Sequence, residues 1–195
     1  MKKQLSISFL LVAVTLIASH VQAQSRGSWG AEAGVNFANI NGDPDFDTSS
    51  RIGFMLGGYY KFQLTDGPLY LQPELFYTQK GYEGASGERT YKFDYIAAAA
   101  LVSYYFSSEK SLTPFAKAGP YLGFNTSSKL EREDGSKRDV EGVNDIEMGV
   151  ILRAGVQIDQ FEVGLRLSQA VTKLADDDDF DAKNFVFGLF AGINF

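Results

Sequence analysis

The stretch "FEVGLRLSQAV", residues 161–171, alternates along its length. Phe161, Val163, Leu165, Leu167 and Val171 are apolar, and Glu162, Gly164, Arg166 and Ser168 between them are charged, small or polar. A period of two is a β-strand with two unlike faces. A sheet in water buries the apolar face, whereas a barrel in a membrane turns it toward lipid. Which face is the inner one decides the fold.

The same period recurs in eight runs, approximately 29–37, 52–62, 69–80, 91–106, 113–126, 146–158, 161–172 and 184–195. Each is about ten residues or longer, the length of a tilted bilayer span rather than the usual five or six of a soluble strand. The connections alternate in length. "QLTDGP", "SSEKSL" and the pair Asp159-Gln160 are short; "ANINGDPDFDTSSR", "GYEGASGER", the segment around "SSKLEREDGSKRDVEGVND" and "LADDDDFDAK" are long and polar. Short turns at one end and long loops at the other predict an all-β, eight-stranded, antiparallel up-and-down transmembrane barrel.

The glycines choose the inner face. Gly30, Gly34, Gly53, Gly57, Gly119, Gly123, Gly149, Gly155, Gly164, Gly188 and Gly192 fall on the polar face. A solvated sheet surface gains nothing from glycine, which costs roughly 0.5–1 kcal/mol of backbone entropy per strand position. Inside a narrow barrel it makes room for long neighbours such as Arg153 and Arg166, because small barrels alternate small and large residues. The polar face therefore points inward, and Phe161, Val163, Leu165 and Leu167 point to lipid, where only a closed sheet satisfies every backbone group. Substitution of Gly164 by alanine is expected to cost less than Leu165→Arg and to act through crowding of the lumen.

Aromatic residues gather at the strand ends. Trp29, Tyr59, Tyr60, Phe62, Tyr70, Tyr104, Tyr105, Phe106, Phe115, Phe161 and Phe195 are expected in a belt at the short-turn side. Phe37, Phe54, Tyr77, Tyr91, Phe93, Phe124 and Phe185 are expected in a belt at the loop side. The fourth run, "YKFDYIAAAALVSYYF", breaks parity: Lys92 and Asp94 suit one inward phase and Ser103 the other. A bulge near residues 95–97 and a strand continuing above the membrane are both consistent with it.

The chain opens with Lys2 and Lys3, an apolar run over about 5–18 and small residues before Gln24. This layout predicts a secretory signal peptide over residues 1–23, cleaved between Ala23 and Gln24, its apolar run being too short for a spanning helix. Residues 24–195 then form one barrel domain. Removing the two lysines leaves 16 basic against 24 acidic residues, a net charge of −8, which argues against nucleic acid as a partner. Cysteine is absent and the single histidine is His20, within the leader. Histidine- or thiol-based catalysis and the usual zinc sites are thereby excluded from the mature chain. No enzymatic activity, cofactor or metal is expected.

The segments "LYLQPELFYTQKGY" from Leu69, "PFAKAGPYLGF" from Pro114, "DIEMGVILRAGVQI" from Asp145 and the ending "FGLFAGINF" resemble the Bacteroidetes outer-membrane β-barrel family, porin-family or PorT-like. These are small barrels like OmpX and the transmembrane domain of OmpA. The likeness covers most of the mature chain; "DYIAAAALVSYYF" departs from the family, which usually carries a more polar and bulky segment there. The resemblance implies a bacterial outer-membrane location, contact with lipid and lipopolysaccharide, and both termini in the periplasm. It also implies a final aromatic, Phe195, read by the barrel-assembly machinery. Some members look like parts of a secretion system.

By parity the inward charges are Glu32, Lys61, Glu74, Lys80, Lys117, Glu147, Arg153, Glu162 and Arg166, mixed in sign as burial requires. They read either as a paired plug filling a closed lumen or as a selective, gated ion path. An eight-stranded interior has room for little more than side chains, so the leading expectation is a monomeric structural or interaction protein that works through its outer loops. A small pore is the alternative, and a secreted lipocalin-like binder with the faces reversed is disfavoured by the glycines. The acidic stretches "GDPDFD" from Gly42 and "DDDDF" from Asp176 read as solvated loops, or as carboxylates for divalent cations.

Overall fold

A computed structural model describes residues 27–43, 48–84, 89–106, 111–140, 142–174 and 181–195. The strands are β1 Gly27–Asp43, β2 Thr48–Gln63, β3 Leu69–Gly84, β4 Arg89–Tyr105 and β5 Leu112–Arg132. They continue with β6 Lys137–Asp139, β7 Ile146–Ile158, β8 Phe161–Ala170 and β9 Asp181–Asn194. Every pairing is antiparallel, β1 pairs with β9, and β4 pairs with β5, so the eight long strands close on themselves. β6 adds only a short flap to the outer part of β5. The expected fold class is the observed one.

The faces follow the sequence period. In β8 Phe161, Val163, Leu165 and Leu167 are exposed, and Glu162, Arg166 and Ser168 are buried. The two-residue turn after β7 is made by Asp159, whose φ of 51° suits a short polar side chain, and Gln160. Both Gly27 and Phe195 lie at the end that carries these short connections, the turn end. The strands run furthest at the opposite, loop end. There β5 continues through "SSKLER", which the sequence pattern leaves in a loop, before turning around Gly135 into β6.

The fourth strand resolves its parity conflict in a definite way. Phe93, Tyr95, Ala97, Ala99, Leu101, Ser103 and Tyr105 all point inward. The bulge lies on β5: Tyr95 faces Asn125 but Asp94 faces Ser127, leaving Thr126 as the extra residue. Lys92 and Asp94 take the outward parity beyond the apolar band, where Lys92 pairs with Glu131 of β5.

Two expectations are corrected. Tyr59, Tyr105, Phe115 and Phe93 are buried and belong to no lipid-facing belt. Of the residues expected in the turn-end belt, Trp29, Tyr60 and Phe62 stand outside as expected, in edge contacts of 4.7 and 4.5 Å, with Tyr104 against Phe106 at 4.9 Å. The glycines also serve aromatic rings more than arginines. A methyl group at Gly149 would meet the Tyr121 ring at 2.5 Å, one at Gly155 would meet the Phe115 ring at 2.7 Å, and Gly30 lies beneath the Tyr59 ring. Each ring lies across a neighbouring strand and uses the space that a missing side chain leaves.

Candidate functional site

The barrel interior is built by alternate residues of all eight long strands, and the nine charges singled out by parity are all buried on it. From the turn end inward, Glu162 of β8 receives two cations, Lys61 of β2 at 2.8 Å and Lys117 of β5 at 2.5 Å. Tyr105 donates to the same carboxylate at 2.7 Å and accepts from Lys61 at 2.9 Å. Lys117 also donates to Gln72, whose amide donates to Glu74 at 2.7 Å. Arg153 of β7 then joins two walls. It donates twice to Glu32 of β1, at 2.6 and 3.0 Å, and once to Glu74 of β3, at 2.7 Å.

Arg166 stands next to Arg153 across the β7–β8 ladder. Among the described residues it forms no ion pair; it donates to the Met55 sulfur and lies 4.5 Å from the centre of the Phe76 ring. Nearer the loop end Lys80 pairs with Glu147, which also accepts from Tyr121 at 2.7 Å and from Asn184 at 2.5 Å. The Lys80 ammonium lies 4.6 Å from the Tyr121 ring centre and 5.2 Å from that of Tyr95, within cation–π range.

Sequence parity missed the residues that connect these charges. Tyr59, Gln72 and Tyr121 share strand faces with Lys61, Lys80 and Lys117, so strict alternation along β2, β3 and β5 finds them; Tyr95 and Tyr105 on β4 and Asn184 on β9 stand on strands that carry none of the nine charges and so had no charged anchor to count from. Apolar residues also enter the lumen. Phe76, Ala97, Ala99, Leu101, Tyr121 and Ile151 form one buried cluster, and Met55, Tyr105, Phe115 and Phe190 another. Residues 1–26 and 175–180, with the cleavage position Ala23–Gln24 and the "DDDDF" stretch, lie outside the described residues, as do residues 44–47 of "GDPDFD". Phe195 closes the turn end by donating its backbone N–H to Trp29.

Clefts open at both ends. One of about 320 Å³ at the turn end is lined by Lys61, Tyr70, Tyr105, Gln157 and Asn194, with Ser28 and Thr113. The other, about 620 Å³ at the loop end, lies among Arg51, Glu83, Lys92, Glu131 and Arg132. Among the described residues no group of His, Cys, Asp and Glu is placed to hold a metal ion.

A closed sheet with an apolar exterior and a charged, hydrogen-bonded interior defines an integral barrel of the bacterial outer membrane. A model of the outer membrane protein beta-barrel domain matches residues 22–176, and the chain belongs to that family. Solved structures with a similar fold include the outer membrane enzyme PagL, at 18% identity over 84% of this chain and 98% of that one, with a TM-score of 0.57. Neisserial surface protein A is similar at 17% identity over 87% and 99% of the two chains, TM-score 0.54. The attachment invasion locus protein Ail of Yersinia pestis aligns at 17% identity over 87% and 99%, TM-score 0.48. At these identities the likeness is one of fold. No curated protein matches the sequence.

Proposed function

We propose that this barrel is a structural and interaction protein whose lumen is closed and whose working surface is the loop end. The observation that carries the reading is the Arg153 clamp. One guanidinium held by carboxylates from β1 and β3 spans the section, and the Arg166, Phe76 and Phe190 side chains pack around the same level. An ion crossing there would have to break a buried pair, which costs about 3–5 kcal/mol when one partner is left uncompensated. In this reading residues 1–23 are a leader, both termini and the turn end are periplasmic, and Phe195 is the residue the assembly machinery reads. The loop end then meets lipopolysaccharide and the outside. The segments from Leu69, Pro114 and Asp145 favour a Bacteroidetes, PorT-like origin within the family.

The test is single-channel recording of the refolded chain lacking residues 1–23 in a planar bilayer, with heat-dependent gel mobility as the folding control. A folded barrel without discrete openings is the expected result. Stable openings whose amplitude changes in Arg153→Ala would instead make the lumen a path and the protein a small pore.

A further inference from the structure

The charges of the lumen do not cancel evenly along its length. At the Arg153 level two guanidinium groups, Arg153 and its neighbour Arg166, meet the two carboxylates of Glu32 and Glu74, and Lys80 has the Glu147 carboxylate to itself. At the turn end cations are in excess, because Lys61 and Lys117 share the single carboxylate of Glu162. That surplus positive charge lies at the floor of the turn-end cleft, whose lining includes the Lys61 side chain. The remaining lining residues, Ser28, Tyr70, Tyr105, Thr113, Gln157 and Asn194, all carry hydrogen-bonding groups, and none is acidic.

Lys61 is suited to a further partner. Its ammonium has three N–H donors, of which Glu162 and Tyr105 take two. The aromatic walls limit how fully water can screen it: Tyr105 is buried, its ring centre is 4.8 Å from the ammonium, and Tyr70 packs edge-on against Tyr105 at 5.3 Å. A concave site with one unmatched cation, several neutral donors and no carboxylate on its walls favours an anion. With its volume of about 320 Å³, the cleft admits a group much larger than a halide.

We propose that the turn-end cleft is a binding site for a small oxyanion, a phosphate or carboxylate, held on the Lys61 ammonium with hydroxyl and amide donors of the rim. A free ion and the phosphate of an anionic lipid headgroup share this chemistry. The site is separate from the loop-end surface, and it is compatible with a closed lumen because the ligand stops at the Lys61–Glu162–Tyr105 floor.

The experiment is amide and lysine side-chain NMR of the refolded barrel in maltoside micelles, titrated with inorganic phosphate and, separately, with acetate. In parallel, nanodiscs of neutral phosphatidylcholine are compared with nanodiscs containing phosphatidylglycerol. Saturable shifts confined to Ser28, Lys61, Thr113 and Asn194 are expected, abolished in Lys61→Met. That variant leaves Glu162 paired one-to-one with Lys117, so it should fold. Tyr70→Phe, which keeps the ring and removes the hydroxyl, should weaken binding several-fold and serves if Lys61→Met does not fold. Shifts in micelles identify a free oxyanion, and shifts only in the phosphatidylglycerol nanodiscs identify a headgroup. No saturable shift in any arm, or the same shift in Lys61→Met, overturns the site.

Discussion

Leu165 and Gly164 are chain neighbours with opposite surroundings. Leu165 faces lipid, and Leu165→Arg near the midplane is expected to cost about 2–4 kcal/mol, measurable as a lower denaturant midpoint for the refolded barrel in vesicles. Gly164 looks mild from its sequence position, but a methyl group there would be driven into the Ala154 carbonyl and to 3.0 Å from the Gly155 Cα, both backbone atoms of β7. Gly164→Ala should therefore be strongly destabilising. The tolerant counterpart is Gly192→Ala, whose added carbon meets Ala31 and Glu32 atoms at 3.3 and 3.5 Å. It should shift the same midpoint by less than about 1 kcal/mol, and equal costs for the two glycine variants would refute the packing described. Among the charges, Glu162→Gln strands two buried lysines and is expected to lose about 3–5 kcal/mol. Lys61→Met removes only a surplus charge and should lose less.

At the scale of elements, alternation made the strands legible because each has one lipid face and one filled face, the condition under which register is most strongly specified. It failed where that condition lapses. Beyond the apolar band β4 and β5 rise out of the membrane, and Lys92, Lys129 and Glu131 follow a ladder shifted by the Thr126 bulge. No two-state polarity pattern encodes that shift. The candidate charges were legible for the same reason as the strands. Their partners were not, because which carboxylate meets which cation depends on barrel tilt and on contacts such as Arg153 with Glu32, 121 residues apart. The protruding β5–β6 hairpin carries its own pH dependence. The hydrogen bond from Lys92 holds the Glu131 carboxyl below its usual range, and the Ser136 hydrogen bonds do the same for Asp134 at the tip. A depressed carboxylate pKa contributes stability above the unfolded value, and that contribution is lost as pH falls through the folded one. Amide exchange in residues 129–139 should accelerate as acid protonates Glu131, and Glu131→Gln should exchange faster already at neutral pH. Exchange independent of pH, after correction for intrinsic rates, would show that the pair does not hold the hairpin.

At the scale of the whole molecule, the outer membrane location and the closed barrel rest on agreement between an apolar outer band, a buried polar interior and a sheet without a free edge in its spanning part. The long strands pair mostly with their sequence neighbours, so most of the sheet can form from hairpins. The seam is the exception: β1 meets β9 over a register running from Gly30 opposite Asn194 to Asp43 opposite Asp181, and Phe195 bonds Trp29 beyond its end. The strand needed to seal the cylinder thus follows all the other described strands along the chain. A chain cut short anywhere before it is an open ribbon with two long unsatisfied margins, each a template for the wrong neighbour. Those margins are satisfied only when β9 meets β1, which makes the seam a proof of intactness as well as a piece of wall.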